Sequence, residues 1–137
     1  MSNPQVPSLR PSLTLLILLA LVSCRQPSHP VGLVAPGELD MQIAAWDKPA
    51  WSGQCRDAAA LKAFFALLAT ADEIDDHKCG DRMTLQFAGG VLGLLPGHKA
   101  DKYQFRWNGK AYELDRETLL QAMEKLGLPR AQIPLKC

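Results

Sequence analysis

Tyr103-Gln104-Phe105-Arg106-Trp107-Asn108-Gly109-Lys110-Ala111-Tyr112-Glu113-Leu114 is the stretch from which the fold can be read. Asn-Gly between two alternating runs is the strongest short hairpin signal, because a two-residue type I′ turn needs positive φ at both central positions. Such a turn fixes the register. Phe105 then lies opposite Tyr112 and Tyr103 opposite Leu114 on one face, while Gln104 meets Glu113 and Arg106 meets Ala111 on the other. The hairpin builds an aromatic inner face, which requires other elements to cover it.

Working outward, Asp115 is placed as an N-cap with Leu114 and Leu119 positioned for a hydrophobic staple. A helix over 116–126 follows, with Leu119, Leu120, Met123 and Leu126 as its apolar stripe, Gly127 just beyond its end and Pro129 preventing continuation. The tail to Cys137 reads as extended, with Ile133 and Leu135 packing on the domain. Upstream, Met83, Leu85 and Phe87 alternate, Gly89-Gly90 supplies a turn, and 91–95 returns as a second strand. Pro96-Gly97 ends that strand and opens a loop holding His98 and Lys99.

Residues 54–69, QCRDAAALKAFFALLA, are rich in helix formers, with Ser52 available as an upstream cap. Few charges interrupt the run, so this helix is expected to be central and buried on more than one face, with Leu61, Phe64, Phe65 and Leu68 as its core residues. Alternatively, one of its faces docks a partner, the alanines allowing close approach. Asp72, Glu73, Asp75 and Asp76 end it, since negative charge is unfavourable at a helix C-terminus. Further upstream, Leu39, Met41, Ile43 and Ala45 alternate as a half-buried strand, broken at Asp47-Lys48-Pro49. Trp46 and Trp51 flank that break. Side chains of this size ordinarily pack; exposed, they would stack on sugar rings or anchor a protein partner. The pattern predicts an α+β domain, order β-α-β-β-β-β-α, with a mostly antiparallel sheet packed against two helices.

The leader carries the other strong signal. Residues 13–22 hold nine apolar residues interrupted by Thr14, about half the roughly 20 needed to span a bilayer. They close with Leu21-Val22-Ser23-Cys24. A short apolar core ending in such a tetrad resembles the lipobox of bacterial lipoproteins. The resemblance implies a signal peptide over 1–23, acylation of Cys24 as the first mature residue, and anchoring in the membrane by several acyl chains. Arg25 follows the cysteine, where inner-membrane retention uses Asp, so the implied address is the outer membrane, facing the periplasm. Residues 25–37 contain three prolines and two glycines and read as a flexible tether. At about 3 Å per residue, it would hold the domain about 30–40 Å from the lipid, with His29 in solvent. Residues 38–137 form one small domain.

Charge excludes one class of partner. Of 15 basic residues Arg10 lies in the leader, leaving 14 against 14 acidic ones, and this balance gives no electrostatic reason to bind nucleic acid. With Cys24 acylated, Cys55, Cys79 and Cys137 remain in an oxidising compartment, which predicts one disulfide and one odd thiol, the pairing left open among the three. The string Asp75-Asp76-His77-Lys78-Cys79 offers mixed donors, but its spacing matches neither zinc nor calcium patterns, and no metal or other cofactor is expected. No Ser-His-Asp or Cys-His set and no phosphate loop is present, so the chain is not read as an enzyme. The expected role is a non-catalytic, lipid-anchored envelope protein with a protein partner, as an accessory part of an envelope or secretion assembly. A periplasmic inhibitor or immunity protein acting on a hydrolase is the alternative, and a small enzyme or ligand-binding protein a third. The residues expected to meet a partner are Trp46, Trp51, Pro96, His98 and Lys99.

Overall fold

The computed structural model describes residues 28–44, 46–76 and 79–137. The expected leader and acylation site Cys24, the expected strand residue Ala45, and His77 and Lys78 of the mixed-donor string lie outside the described residues. The elements run β1 (Leu39–Ile43), β2 (Trp51–Cys55), α1 (Ala58–Leu68), β3 (Asp72–Ile74), β4 (Met83–Phe87), β5 (Gly90–Pro96), β6 (Lys102–Trp107), β7 (Lys110–Asp115) and α2 (Arg116–Lys125), then a 3-10 turn, Arg130–Gln132. The strands form one antiparallel sheet in the order β2-β1-β4-β5-β6-β7-β3. Both helices contribute to the core on one face, giving the α+β architecture that the sequence predicts.

The central hairpin forms in the predicted register, with Phe105 opposite Tyr112 and Tyr103 opposite Leu114. Asn108 and Gly109 have φ of 50° and 75°, the two positive values a type I′ turn demands. Phe105 and Tyr112 stack with ring centroids 5.3 Å apart, and Phe65 of α1 meets Phe87 edge-on at 5.1 Å. Leu61, Phe64, Phe65 and Leu68 are buried in one core with side chains of the sheet and of α2, each such burial contributing about 1.5–3 kcal/mol. In α2, Asp115 caps as expected, accepting from the Thr118 amide at 3.0 Å, and Gly127 takes φ of 104° just past the helix end.

Four local expectations change. Residues 51–55 are strand β2, not the first turn of a helix. Trp51, Gly53 and Cys55 alternate inward and pair with β1, and this sheet pairing overrides helix propensity. The helix therefore starts later, capped by Asp57, which accepts from Ala59 and Ala60 amides at 3.1 Å each; Ser52 lies in the strand. Helix α1 buries one face only, leaving Ala59, Ala63 and Ala66 exposed. The acidic run is partly strand, as β3 pairs with β7 and forms a charged sheet edge. The first hairpin turns at Ala88-Gly89, and Gly90 opens β5 opposite Phe87, where a Cβ would meet the Trp107 ring at 2.8 Å.

The segment expected as a free tether is docked from Ser28 onward. Ser28 O accepts from the Glu73 amide at 2.9 Å, His29 Nδ1 contacts Ala71 O at 2.8 Å, and Val31 O accepts from the Trp107 indole N–H at 2.9 Å. Leu33 packs on the core beyond them. Residues 28–37 thus form a strap that runs from the β3 edge, past β6, to the start of β1. His29 is half-exposed and bound, not simply in solvent.

Candidate functional site

Antiparallel pairing sorts the connections between two ends of the sheet. The tight turns at Ala88-Gly89 and Asn108-Gly109 share one end with the strap. The β1–β2 turn, the β5–β6 loop, the start of α2 and the 3-10 turn gather at the other. Trp46, His98 and Lys99, far apart in sequence, are therefore brought to the same end.

Trp46 is 79% exposed there, the packing expected of it being absent. Asp47-Lys48-Pro49 carries the chain out of β1, and Lys48 Nζ donates to Ala131 O at 2.8 Å, tying this turn to the C-terminal segment. Trp51 behaves differently. It is half-buried, packs on the core, and lays its ring so close over Gly53 that a Cβ there would fall 2.6 Å from it. Trp51 is thus a packing residue.

Pro96 is the last residue of β5 and is buried, and Gly97 is half-buried, so the exposed part of the loop is 98–101. Pairing with Tyr103 draws it into the sheet. The loop is held at several points: Gly97 N donates to Lys102 O at 3.2 Å, Lys102 N to Lys99 O at 3.1 Å, and Arg116 donates to Ala100 O and Asp101 O at 2.9 and 2.8 Å. Gly97 is required, because a Cβ would lie 2.7 Å from Lys102 O. His98 and Lys99 project from this fixed frame.

Beside the loop is a shallow depression of about 330 Å³, lined by Asp101, Asp115, Arg116, Glu117, Arg130 and Leu135. Arg130 bridges Glu117 at 2.6 Å and Glu124 at 2.8 Å. Its guanidinium holds the Glu117 carboxyl below the usual carboxylate range, and hydrogen bonds from Thr118 do the same for Asp115. Leu135, expected to pack, is 46% exposed, whereas Ile133 is buried. A small-molecule site is normally concave and apolar. This depression is open and charge-paired, with Leu135 among its lining.

The second sheet face holds the arrangement that the sequence did not suggest. Arg106 donates to both Asp76 oxygens at 2.9 and 3.1 Å, to Asp81 at 2.6 Å and to Cys79 O at 2.6 Å. Asp81 lies directly over Gly93, where a Cβ would collide with its carboxylate. Cys79 is disulfide-bonded to Cys137, Cα atoms 6.2 Å apart, and Cys55 is the buried free thiol. The acidic segment is therefore fastened across the sheet by one arginine and one covalent bond. Gln104 beneath is 2% exposed, so this face is covered at its centre and not the solvated face implied by Gln104 and Arg106 alternating with aromatics. The described residues include no group of three or more His, Cys, Asp or Glu placed to hold a metal ion.

Compared with protein-family models, curated proteins and solved structures, the chain gives no match at any of the three levels.

Proposed function

We propose that this chain is a non-catalytic, lipid-anchored envelope protein that binds a protein partner through the end of its sheet carrying Trp46, His98 and Lys99. The exposed Trp46 is the observation that carries this reading. Tryptophan is enriched among residues that dominate protein interfaces, and an indole left in water by a domain with a well-formed core is a ready anchor. The fixed frame of loop 97–101 adds to it, since a surface ordered before contact loses little conformational freedom on binding. The anchor itself rests on the Leu21-Val22-Ser23-Cys24 tetrad, and with it the outer-membrane address facing the periplasm. A non-catalytic role is supported by the acidic cluster, whose Asp76 and Asp81 are engaged by Arg106.

An accessory role in an envelope or secretion assembly is the first reading; inhibition of a hydrolase is the second, favoured by the pinned loop 97–101. Affinity capture from envelope extract with the full chain and with Trp46→Ala tests both. Membrane-complex subunits retained by the native chain and lost by the variant support the first, and a soluble hydrolase so retained supports the second. Partners captured equally by both chains would contradict the assignment of this end.

A further inference from the structure

We propose that the strap side of the domain rests directly on the lipid surface, with Val31 and Val34 seated in the headgroup layer. The proposal depends on acylation of Cys24, the anchor reading above. Ser28 O on the Glu73 amide and Val31 O on the Trp107 indole fix where the chain reaches the domain. From Cys24 to Ser28 there are four Cα steps, which at full extension cover at most about 14 Å. The headgroup layer on one side of a bilayer takes about 5–8 Å of that. What remains is less than the diameter of one helix, about 10 Å. A domain joined so closely cannot stand clear of the membrane, and its strap side must face the lipid.

That side has the matching chemistry. Among the described residues, large exposed apolar side chains are Val31 at 80%, Val34 at 75%, Trp46, Val91 and Leu135. Trp46 and Leu135 belong to the opposite end, whereas Val31 and Val34 project from the strap itself and Val91 stands next to Gly90 at the same end. Lys110, beside the Asn108-Gly109 turn there, pairs with Glu73 at 3.5 Å. The strap is held by its backbone carbonyls, which leaves both valine side chains turned outward. A permanent anchor so near would make their insertion effectively intramolecular.

The test uses the full chain, acylated, in vesicles of phosphatidylethanolamine and phosphatidylglycerol. An NBD probe is attached at Val34→Cys and, separately, at Ala100→Cys in the β5–β6 loop; both positions are exposed, so neither change threatens folding. Dithionite should bleach the probe at 34 at least tenfold more slowly than the probe at 100. In the unacylated Cys24→Ala background in solution, the two should bleach alike. Equal bleaching on vesicles, with acyl mass confirmed at Cys24, would overturn the proposal while leaving the anchor intact. Absence of acyl mass at Cys24 would overturn both, and protection of position 34 in the unacylated chain would assign the strap to a second copy instead.

Discussion

The two ends of the sheet are closed by different means. At the strap end, tight turns reverse the chain, that at Asn108-Gly109 with positive φ at both residues, and a short backbone segment crosses the opening on hydrogen bonds from Glu73 and Trp107. At the loop end, longer connections are secured by side chains from distant elements: Lys48 to Ala131, Arg116 to Ala100, and Tyr103 Oη to Pro134 O at 2.8 Å. The tail that these contacts hold continues to Cys137 and its bond with Cys79. Local turn chemistry produces a smooth, closed end. Long-range ties produce an end where loops stay on the surface but keep their shape, and that is where an exposed indole can serve recognition.

The strongest way to break this contrast is to cut the covalent tie. Cys79→Ala with Cys137→Ala should cost about 2–4 kcal/mol in denaturant unfolding. Hydrogen exchange should quicken at Ile133 and Arg82, whereas the Glu73 amide beneath the strap should be unchanged. Arg106→Met should come next, at about 1–2 kcal/mol, since hydrogen bonds to charged groups are worth more than neutral ones but Asp76 and Asp81 are about half-exposed. Its signature is loss of protection over 79–82 with the disulfide still formed.

How much of this was legible follows the same division. The hairpin register, the Asp115 cap and the four core residues of α1 depend on neighbours in sequence, so alternation, spacing and turn residues specify them. Strands β2 and β3 exist because distant strands offer partners, and their residues, Ser-Gly-Gln and Asp-Glu, have weak strand propensity. The inward alternation of Trp51 and Cys55 was the one signal that could have revealed β2. Loop residues His98 and Lys99 were readable as exposed. Their meeting with Trp46 at one end was not, since it requires the strand order. Likewise, nothing near Arg106 in sequence announces Asp76 and Asp81, which lie 30 and 25 residues away. The docked strap is not legible in the sequence, because proline and glycine content describes how stiff a segment is, not whether carbonyls in it find donors.

Smaller effects sharpen the picture. Tyr103 is fully buried, and burial pushes its phenol well above the usual tyrosine range. The folded state then resists ionisation that the unfolded chain undergoes near pH 10, so this contribution is intact below about pH 10 and is lost as pH rises further. Tyr103→Phe should flatten that alkaline limb in pH-dependent melting, at a cost of about 1 kcal/mol at neutral pH for the bond to Pro134. Trp107→Phe should cost about 1 kcal/mol and expose the strap to proteolysis without loosening the tail. Asp115→Ala should remove the α2 cap and lower the thermal midpoint. Because the folded Asp115 carboxyl titrates below its ordinary value, its stabilisation is present above about pH 4 and disappears as pH falls through the lowered value. Asp115→Asn should keep most of the cap and lose that acid limb, a difference that thermal melts between pH 2 and 5 would read.

The central claim is that one end of this sheet meets lipid and the other meets protein. A photo-crosslinking residue placed in the full chain at position 46 and, separately, at position 34, activated in intact bacterial envelopes, tests it most directly. The account predicts a discrete protein adduct from position 46 and lipid adducts from position 34. Protein adducts from 34 with none from 46 would contradict it.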